Sequence, residues 1–326
     1  MNAVDHNNVV IFDDRGIPSI MCRFVRPKDT EEVLAVFKIG DKVADAIYIS
    51  KYPNIVIDGR AYSMPMADPT VNITFDEAVQ ACRCKGLGWH LMTAVEYEYL
   101  LNQSREKGTM PHGNTDWGKD YYHNEEQGKV SNLGRTYTGT GPVTWNHDHT
   151  PYGVSDLNGN VWEWLAGLRI KDGVIEFIPG NKAASPYCDL SKDSTEWQQA
   201  ETSKGPVRAN VECGEITIMD AVAADDYEPN YDGVRIEELE VKLSEIPQVL
   251  KDLGIIPDKR AEEEGKTYVY FDATEGEYLP LRGSAFFITS DSGSSALNLV
   301  NPRSLSGGNV GFRSAFYEVN GKLITE

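Results

Sequence analysis

The sequence predicts a loop-rich α+β fold, and three observations carry that prediction. Two Thr-x-x-Glu strings, Thr74-Phe75-Asp76-Glu77 and Thr93-Ala94-Val95-Glu96, are capping boxes that open helices. Short β-type runs at residues 9–12, 19–24 and 46–50 are bounded by turn residues, as strands are. Residues 103–150 are rich in Gly, Asn, His and Trp with little periodicity. Loops of that length inside a domain are functional or packed by their own aromatics.

Taken in order, residues 1–42 read as a small N-terminal β unit for attachment or oligomerisation. Its two runs are split by Asp13-Asp14-Arg15-Gly16 into a hairpin. Residues 43–326 read as one domain, with an insertion at about 170–280. A strand at residues 46–50 leads into Lys51-Tyr52-Pro53, and the first helix follows Thr74 with Ala78, Val79 and Ala81 on its apolar side. Gly86-Leu87-Gly88-Trp89 links it to the second helix, which covers residues 97–101. Asp172-Gly173 centres a hairpin over residues 170–178. Between Glu215 and Gly265 stand fifteen acidic and five basic residues. There Ile236, Leu239, Val241 and Leu243 predict one helix. Ser244 is placed to cap a second, carrying Val249, Leu250 and Leu253 and ending at Gly254.

Composition narrows the function. The 326 residues carry 31 Lys+Arg against 50 Asp+Glu, a formal net charge of −19. So negative a chain argues against a nucleic-acid partner. The 40% apolar and 25% charged residues are globular values that exclude wholesale disorder. No apolar run approaches the roughly 20 residues of a membrane span, and the N-terminal residues do not read as a signal peptide. The five cysteines, Cys22, Cys82, Cys84, Cys188 and Cys213, are an odd, scattered set without a Cys-x-x-Cys pair. Neither a disulfide framework nor a zinc site is expected from them, and no metal or other cofactor is expected.

The most specific string runs from Gly153 to Trp164. Asn158-Gly159-Asn160 is a turn that feeds a short strand, on which Trp162 and Trp164 share one face and Glu163 takes the other. This string resembles the signature of the formylglycine-generating, sulfatase-modifying family, a variant of the C-type lectin fold. The strand at residues 46–52, the helix at 74–83 and His90-Leu91-Met92-Thr93-Ala94-Val95-Glu96-Tyr97-Glu98-Tyr99 look like that family's first strand and two helices. Leu281-Arg282-Gly283-Ser284 and Gly311-Phe312-Arg313 look like its closing strands. The resemblance covers roughly residues 43–170 and 281–317. It implies a C-type lectin fold of the formylglycine-generating-enzyme type, with the acidic stretch as a helical insertion.

The family's oxidase works through copper-binding cysteines after an Arg-Gly-Gly-Ser-like motif, and residues 281–315 of this chain contain no cysteine. That chemistry cannot run without its thiols. No nucleophile elbow is present, His147-Asp148-His149 reads as a loop, and no catalytic residue is assigned. A divergent enzyme of the superfamily is the alternative reading. Glu228-Pro229-Asn230 matches a calcium-dependent sugar motif by letters but lacks its partner motif and reads as a turn.

Residues 281–315 resemble, instead, the variable region of proteins diversified by retroelements. The framework of such a region is present: Arg282, Gly283, Gly293, Ala296-Leu297-Asn298-Leu299, Arg303-Ser304 and Asn309-Val310-Gly311-Phe312-Arg313. Phe287, Ile288, Asp291, Val300, Leu305, Gly307 and Gly308 stand at its diversified positions, with Ala285, Ser290 and Ser295 as further members. The resemblance implies a non-enzymatic display protein whose ligand-binding surface is made by those ten residues. A host cell-surface receptor or another protein or glycan is the implied ligand. The setting implied is a phage tail or bacterial cell surface, with a homo-oligomer, a trimer by analogy with phage tropism determinants.

Overall fold

Strands Asn8–Phe12 and Pro18–Val25 pair antiparallel, and the Asp13 carboxylate closes the turn between them by accepting from the N–H groups of Arg15 and Ile17 at 3.0 and 2.8 Å. The computed structural model describes residues 7–29, 32–220 and 229–323. The hairpin is not the separate unit expected for residues 1–42. Its second strand pairs over five residues with Ala46–Ser50, whose every side chain is buried. Cys22, Phe24, Val36, Phe37 and Ile39 all join the main core. The apolar side chains of Pro18–Val25 find most of their cover beyond residue 42, so the arm is drawn into the domain. On its far edge Ala46–Ser50 pairs with Ser314–Val319, bringing the two ends of the chain into one sheet.

Helices α1 (Phe75–Arg83) and α2 (Ala94–Lys107) open at the two capping boxes. The Thr74 and Glu77 pair exchanges bonds of 3.4 and 2.9 Å, and Thr93 and Glu96 exchange bonds of 3.2 and 2.8 Å. Helix α2 runs well past residue 101 and stops at Gly108, which takes the left-handed conformation. Between the helices His90–Leu91 pairs with Ser314–Val319.

The larger sheet is built on the signature string. Trp162–Trp164 lies parallel to Val310–Phe312 on one side and antiparallel to Glu277–Arg282 on the other. Leu297–Asn301 then pairs with Glu277–Arg282. Leu168–Lys171 extends the same sheet and turns through Asp172 (φ 51°) and Gly173 (φ 78°) into Val174–Phe177. Two successive positive φ values make this the tight hairpin that matches strand twist.

The acidic insertion is mostly β. Instead of a helix through Ile236, Leu239, Val241 and Leu243, the chain forms Tyr231–Arg235, a 3-10 turn at Ile236–Glu238, and Glu240–Lys242. The first strand pairs with Tyr268–Asp272 and the second with Glu215–Met219. Both partners are remote in sequence, and their pairing overrides the local spacing. Ser244 caps nothing; its N–H and hydroxyl both donate to Asp220. Helix α3 (Gln248–Asp252) follows Pro247 and ends before Gly254, with Leu250 and Leu253 buried. Arg105 of α2 ties the insertion down by pairing with Glu98 and Glu264. Residue 228 and residues 1–6 and 30–31 lie outside the described residues. Among the described residues, no helix is long and apolar enough to cross a membrane.

Candidate functional site

The turn at Asn158-Gly159-Asn160 is a hub. Asn160 Oδ1 accepts from the Thr136 N–H at 2.8 Å and from Asn114 Nδ2 at 3.2 Å, while its Nδ2 donates to Thr136 O at 3.1 Å. Gly159 has φ 73°, and a Cβ there would stand 2.1 Å from Asn114 O. Only glycine fits that approach. Trp162 and Trp164 then bury the same face of their strand against Phe75, Leu281 and Phe312. The Trp164 indole N–H donates to Ile73 O at 3.0 Å. Glu163, on the opposite face, meets Arg313 at 2.7 Å, with both side chains at most 2% exposed. Burial pushes the Glu163 carboxyl up, and the guanidinium opposes that rise.

On this frame the segment after Ser284 meets the long aperiodic loop. Trp117 donates its N–H to Phe286 O at 2.7 Å. Its ring lies 5.0 Å from Phe286 and 6.4 Å from Phe287. Gly134 packs flat on the Trp117 ring, where a Cβ would come within 2.5 Å, and Gly118 packs equally closely on Val130. Trp117, Val130, Leu133 and Phe287 are therefore neighbours, and they are 58%, 49%, 71% and 40% exposed. Tyr122, also exposed, donates its hydroxyl to Ser290 O at 2.9 Å, and Thr289 donates its N–H to Thr115 O. Ser290 and Asp291 stand half-buried in the 3-10 turn beside it.

The remaining candidate positions follow Leu297–Asn301. Val300 is half-buried on that strand. Leu305 and Ile288 are partly buried against the Trp162 cluster. Gly307 O accepts from the Asn72 N–H and Gly308 O from Arg135 Nη1, both at 2.9 Å. A Cβ on Gly308 would meet nothing within 4 Å. Arg135 also pairs with Asp68 at 2.9 Å, so the loop that carries Leu133 is fastened beside the Gly308 turn.

Two of the ten expected positions are not presented. Ala285 is fully buried, because its methyl fills the Trp162 and Phe312 cluster. Ser295 is buried because its hydroxyl is taken up by the Glu264 carboxylate. Conversely, Trp117, Tyr122, Val130 and Leu133 complete the surface and escaped the sequence reading. Their signal was the aromatic-rich aperiodic loop itself. His147 is a structural residue: it is buried, its Nδ1 accepts from the Val154 N–H, and burial pushes its pKa down to about 4. All five cysteines are free thiols, and burial pushes Cys22 up to about 12. Among the described residues, no group of three or more His, Cys, Asp or Glu is placed to hold a metal ion.

Residues 51–207 match the model of the sulfatase-modifying factor enzyme 1-like domain. A formylglycine-generating enzyme of Mus musculus is 36% identical over 105 residues, which is 30% of this chain and 27% of that enzyme's length. Among solved structures, PvdO from Pseudomonas aeruginosa aligns over 95% of this chain and 98% of its own, at 15% identity and a TM-score of 0.40. Treponema denticola variable protein 1 aligns over 95% and 99%, at 12% identity and a TM-score of 0.36. A Major Tropism Determinant I1 variant aligns over 84% and 50%, at 14% identity and a TM-score of 0.34. The architecture is a loop-rich α+β fold, in which residues 51–207 are similar to the sulfatase-modifying factor domain.

Proposed function

We propose that this chain is a ligand-binding display protein whose C-terminal segment presents a diversified surface to a host cell-surface receptor, protein or glycan. The presented positions are Phe287, Ile288, Ser290, Asp291, Val300, Leu305, Gly307 and Gly308, with Trp117, Val130 and Leu133 as a constant apolar border. The observation that carries this reading is how the segment is fastened. At Ser290, Gly307 and Gly308 the rest of the protein holds main-chain carbonyls, which every residue type possesses. Side chains there can change while the backbone stays put. An exposed cluster of Trp, Leu, Val and Phe beside such a segment is the composition of a binding surface rather than of ordinary solvent-facing loop.

The reading places the protein on a phage tail or bacterial surface, as a homo-oligomer with a trimer as the expected state, for which sedimentation gives the mass. It also makes the protein a non-enzyme, since residues 281–315 lack the thiols of the sulfatase-modifying oxidase. The match over residues 51–207 is the observation that favours a divergent enzyme instead. Stoichiometric copper or iron in the purified protein would support that alternative.

The test is a library randomised at Phe287, Ser290 and Gly308, scored for binding to a panel of host cells and for melting temperature. Altered cell preference at unchanged melting temperature supports display. Uniform binding across the library, or general unfolding, overturns it.

A further inference from the structure

Beside the aromatic surface lies a second feature, a cavity of about 350 Å³ between the loop that starts at Met110, the Asn158 turn, the segment at Glu263 and Lys266, and residues 292–295. Two of its wall residues, His112 and His123, stack face to face with centroids 3.7 Å apart and planes 5° from parallel.

The hydrogen bonds fix what this cavity offers. His112 Nδ1 lies 3.0 Å from the Glu126 carboxylate, and His123 Nδ1 lies 3.2 Å from the Asp120 carboxylate. Both carboxylates already act as acceptors. Asp120 takes the N–H groups of Tyr122 and His123, and Glu126 takes the indole N–H of Trp145. An ionised carboxylate only accepts, so each imidazole donates from Nδ1. In the neutral ring the other nitrogen, Nε2, is then an acceptor. Asn158 is 8% exposed and borders the same cavity. Its Nδ2 donates to Pro111 O, and its Oδ1 has no partner.

Four of the hydroxyl donors on its walls, by contrast, are spent. The hydroxyls of Tyr122, Thr267, Ser292 and Ser295 each donate to a protein oxygen. Glu264 is saturated by Arg105, Ser295 and the Ala261 N–H, whereas Glu263 stands exposed at the mouth. Lys266 Nζ stands 5.7 Å from the Tyr122 ring centroid, so that face is taken by the protein's own cation and a ligand must use the acceptors on the other walls.

We propose that this cavity is a subsite for a primary ammonium group. Such a group brings three donors and one positive charge to a set of unused acceptors: Asn158 Oδ1, the imidazole Nε2 atoms and the Glu263 carboxylate. A lysine side chain and an amino sugar share this chemistry. The proposal stands apart from the display reading, because its acceptors are none of the presented positions.

The experiment is calorimetric titration of the full chain, with histidine side-chain nitrogen spectra recorded in parallel. The probes are Nα-acetyl-lysine methylamide and glucosamine, against Nα-acetyl-norleucine methylamide and N-acetylglucosamine. The two amines are expected to bind saturably and to shift the His112 and His123 signals, with the neutral controls at least about tenfold weaker. The tighter amine identifies a peptide or a glycan as the source. E263Q and H123F, both at positions reached by solvent, are expected to weaken amine binding by about 3- to 10-fold at unchanged melting temperature. Equal binding of the neutral controls, or no saturation up to about 50 mM, overturns the proposal. So does unchanged amine affinity in both variants. Substitutions at Phe287 and Gly308 leave this subsite intact, so its failure and that of the display reading are separable.

Discussion

Arg313 uses every N–H of its guanidinium to hold Glu163 and three backbone carbonyls. Nε and Nη2 donate to the Glu163 carboxylate at 2.7 to 3.1 Å, and the remaining N–H groups donate to Ser50 O, Lys51 O and Asp156 O, each at 3.1 Å. The first sheet, the signature string and the C-terminal strand therefore meet at one buried cation. Glu163→Gln leaves that cation underpaired in the interior and is expected to cost about 3–5 kcal/mol. Replacing both residues, as in E163L with R313M, is expected to cost less than the single change. Urea unfolding of the three variants checks the order.

Asp156 behaves in the opposite sense. Burial pushes its pKa up to about 6 from 3.8, with the Gly139 N–H and Arg313 opposing and Glu163 adding to the rise. Between those two pH values the folded chain keeps a proton that the unfolded chain has released. Stability from this group therefore falls as pH rises through the window and is lowest above pH 6. Asp156→Asn retains an acceptor for the Gly139 N–H, 2.9 Å away. It is expected to flatten that slope and to stabilise the protein by about 2–3 kcal/mol at pH 7. Melting temperatures at pH 4 and pH 7 decide the matter.

The two kinds of aromatic should separate cleanly. Trp162→Ala removes a buried indole from the central cluster and is expected to cost about 3–5 kcal/mol in urea unfolding. Phe287→Ser removes an exposed ring and is expected to change stability by less than about 1 kcal/mol while altering cell binding. A cost above about 2 kcal/mol would make Phe287 a core residue and end its assignment to the binding surface.

Two glycines make a sharper pair. Gly308 has open space at its Cβ and no left-handed backbone, so Gly308→Lys and Gly308→Trp are expected to melt with the parent protein. Gly159→Ala combines a positive φ with a carbonyl oxygen inside contact distance and is expected to lose more than about 2 kcal/mol. Thermal melts of the four chains test both statements.

What the sequence made legible was local. The capping boxes at Thr74 and Thr93 announce α1 and α2 because their bonds close within one helical turn. The alternation of Trp162, Glu163 and Trp164 announces a strand buried on both faces once Arg313 supplies the second face. Two features were hidden because their causes are remote. The insertion has helical spacing at Ile236, Leu239 and Leu243, yet its strands answer to partners at Tyr268–Asp272 and Glu215–Met219. Trp117 shows no pattern at all in its own loop; its place depends on one N–H bonded to Phe286 O and on a glycine, Gly134, lying under its ring. The N-terminal boundary failed for the same reason, since the cover for Cys22 and Phe24 comes from the rest of the domain.

The carbonyl fastening at Ser290, Gly307 and Gly308 bears on how such a surface evolves. Most proteins sit close to a stability threshold, and a new binding specificity is commonly accompanied by a loss that other sites must offset. A position whose grip on the rest of the protein is its own carbonyl, as at Gly307 and Gly308, is exempt from that coupling. Under the proposed display function, successive genotypes at these positions explore recognition without first accumulating stabilising substitutions, so partner choice is limited by mutation supply and not by folding.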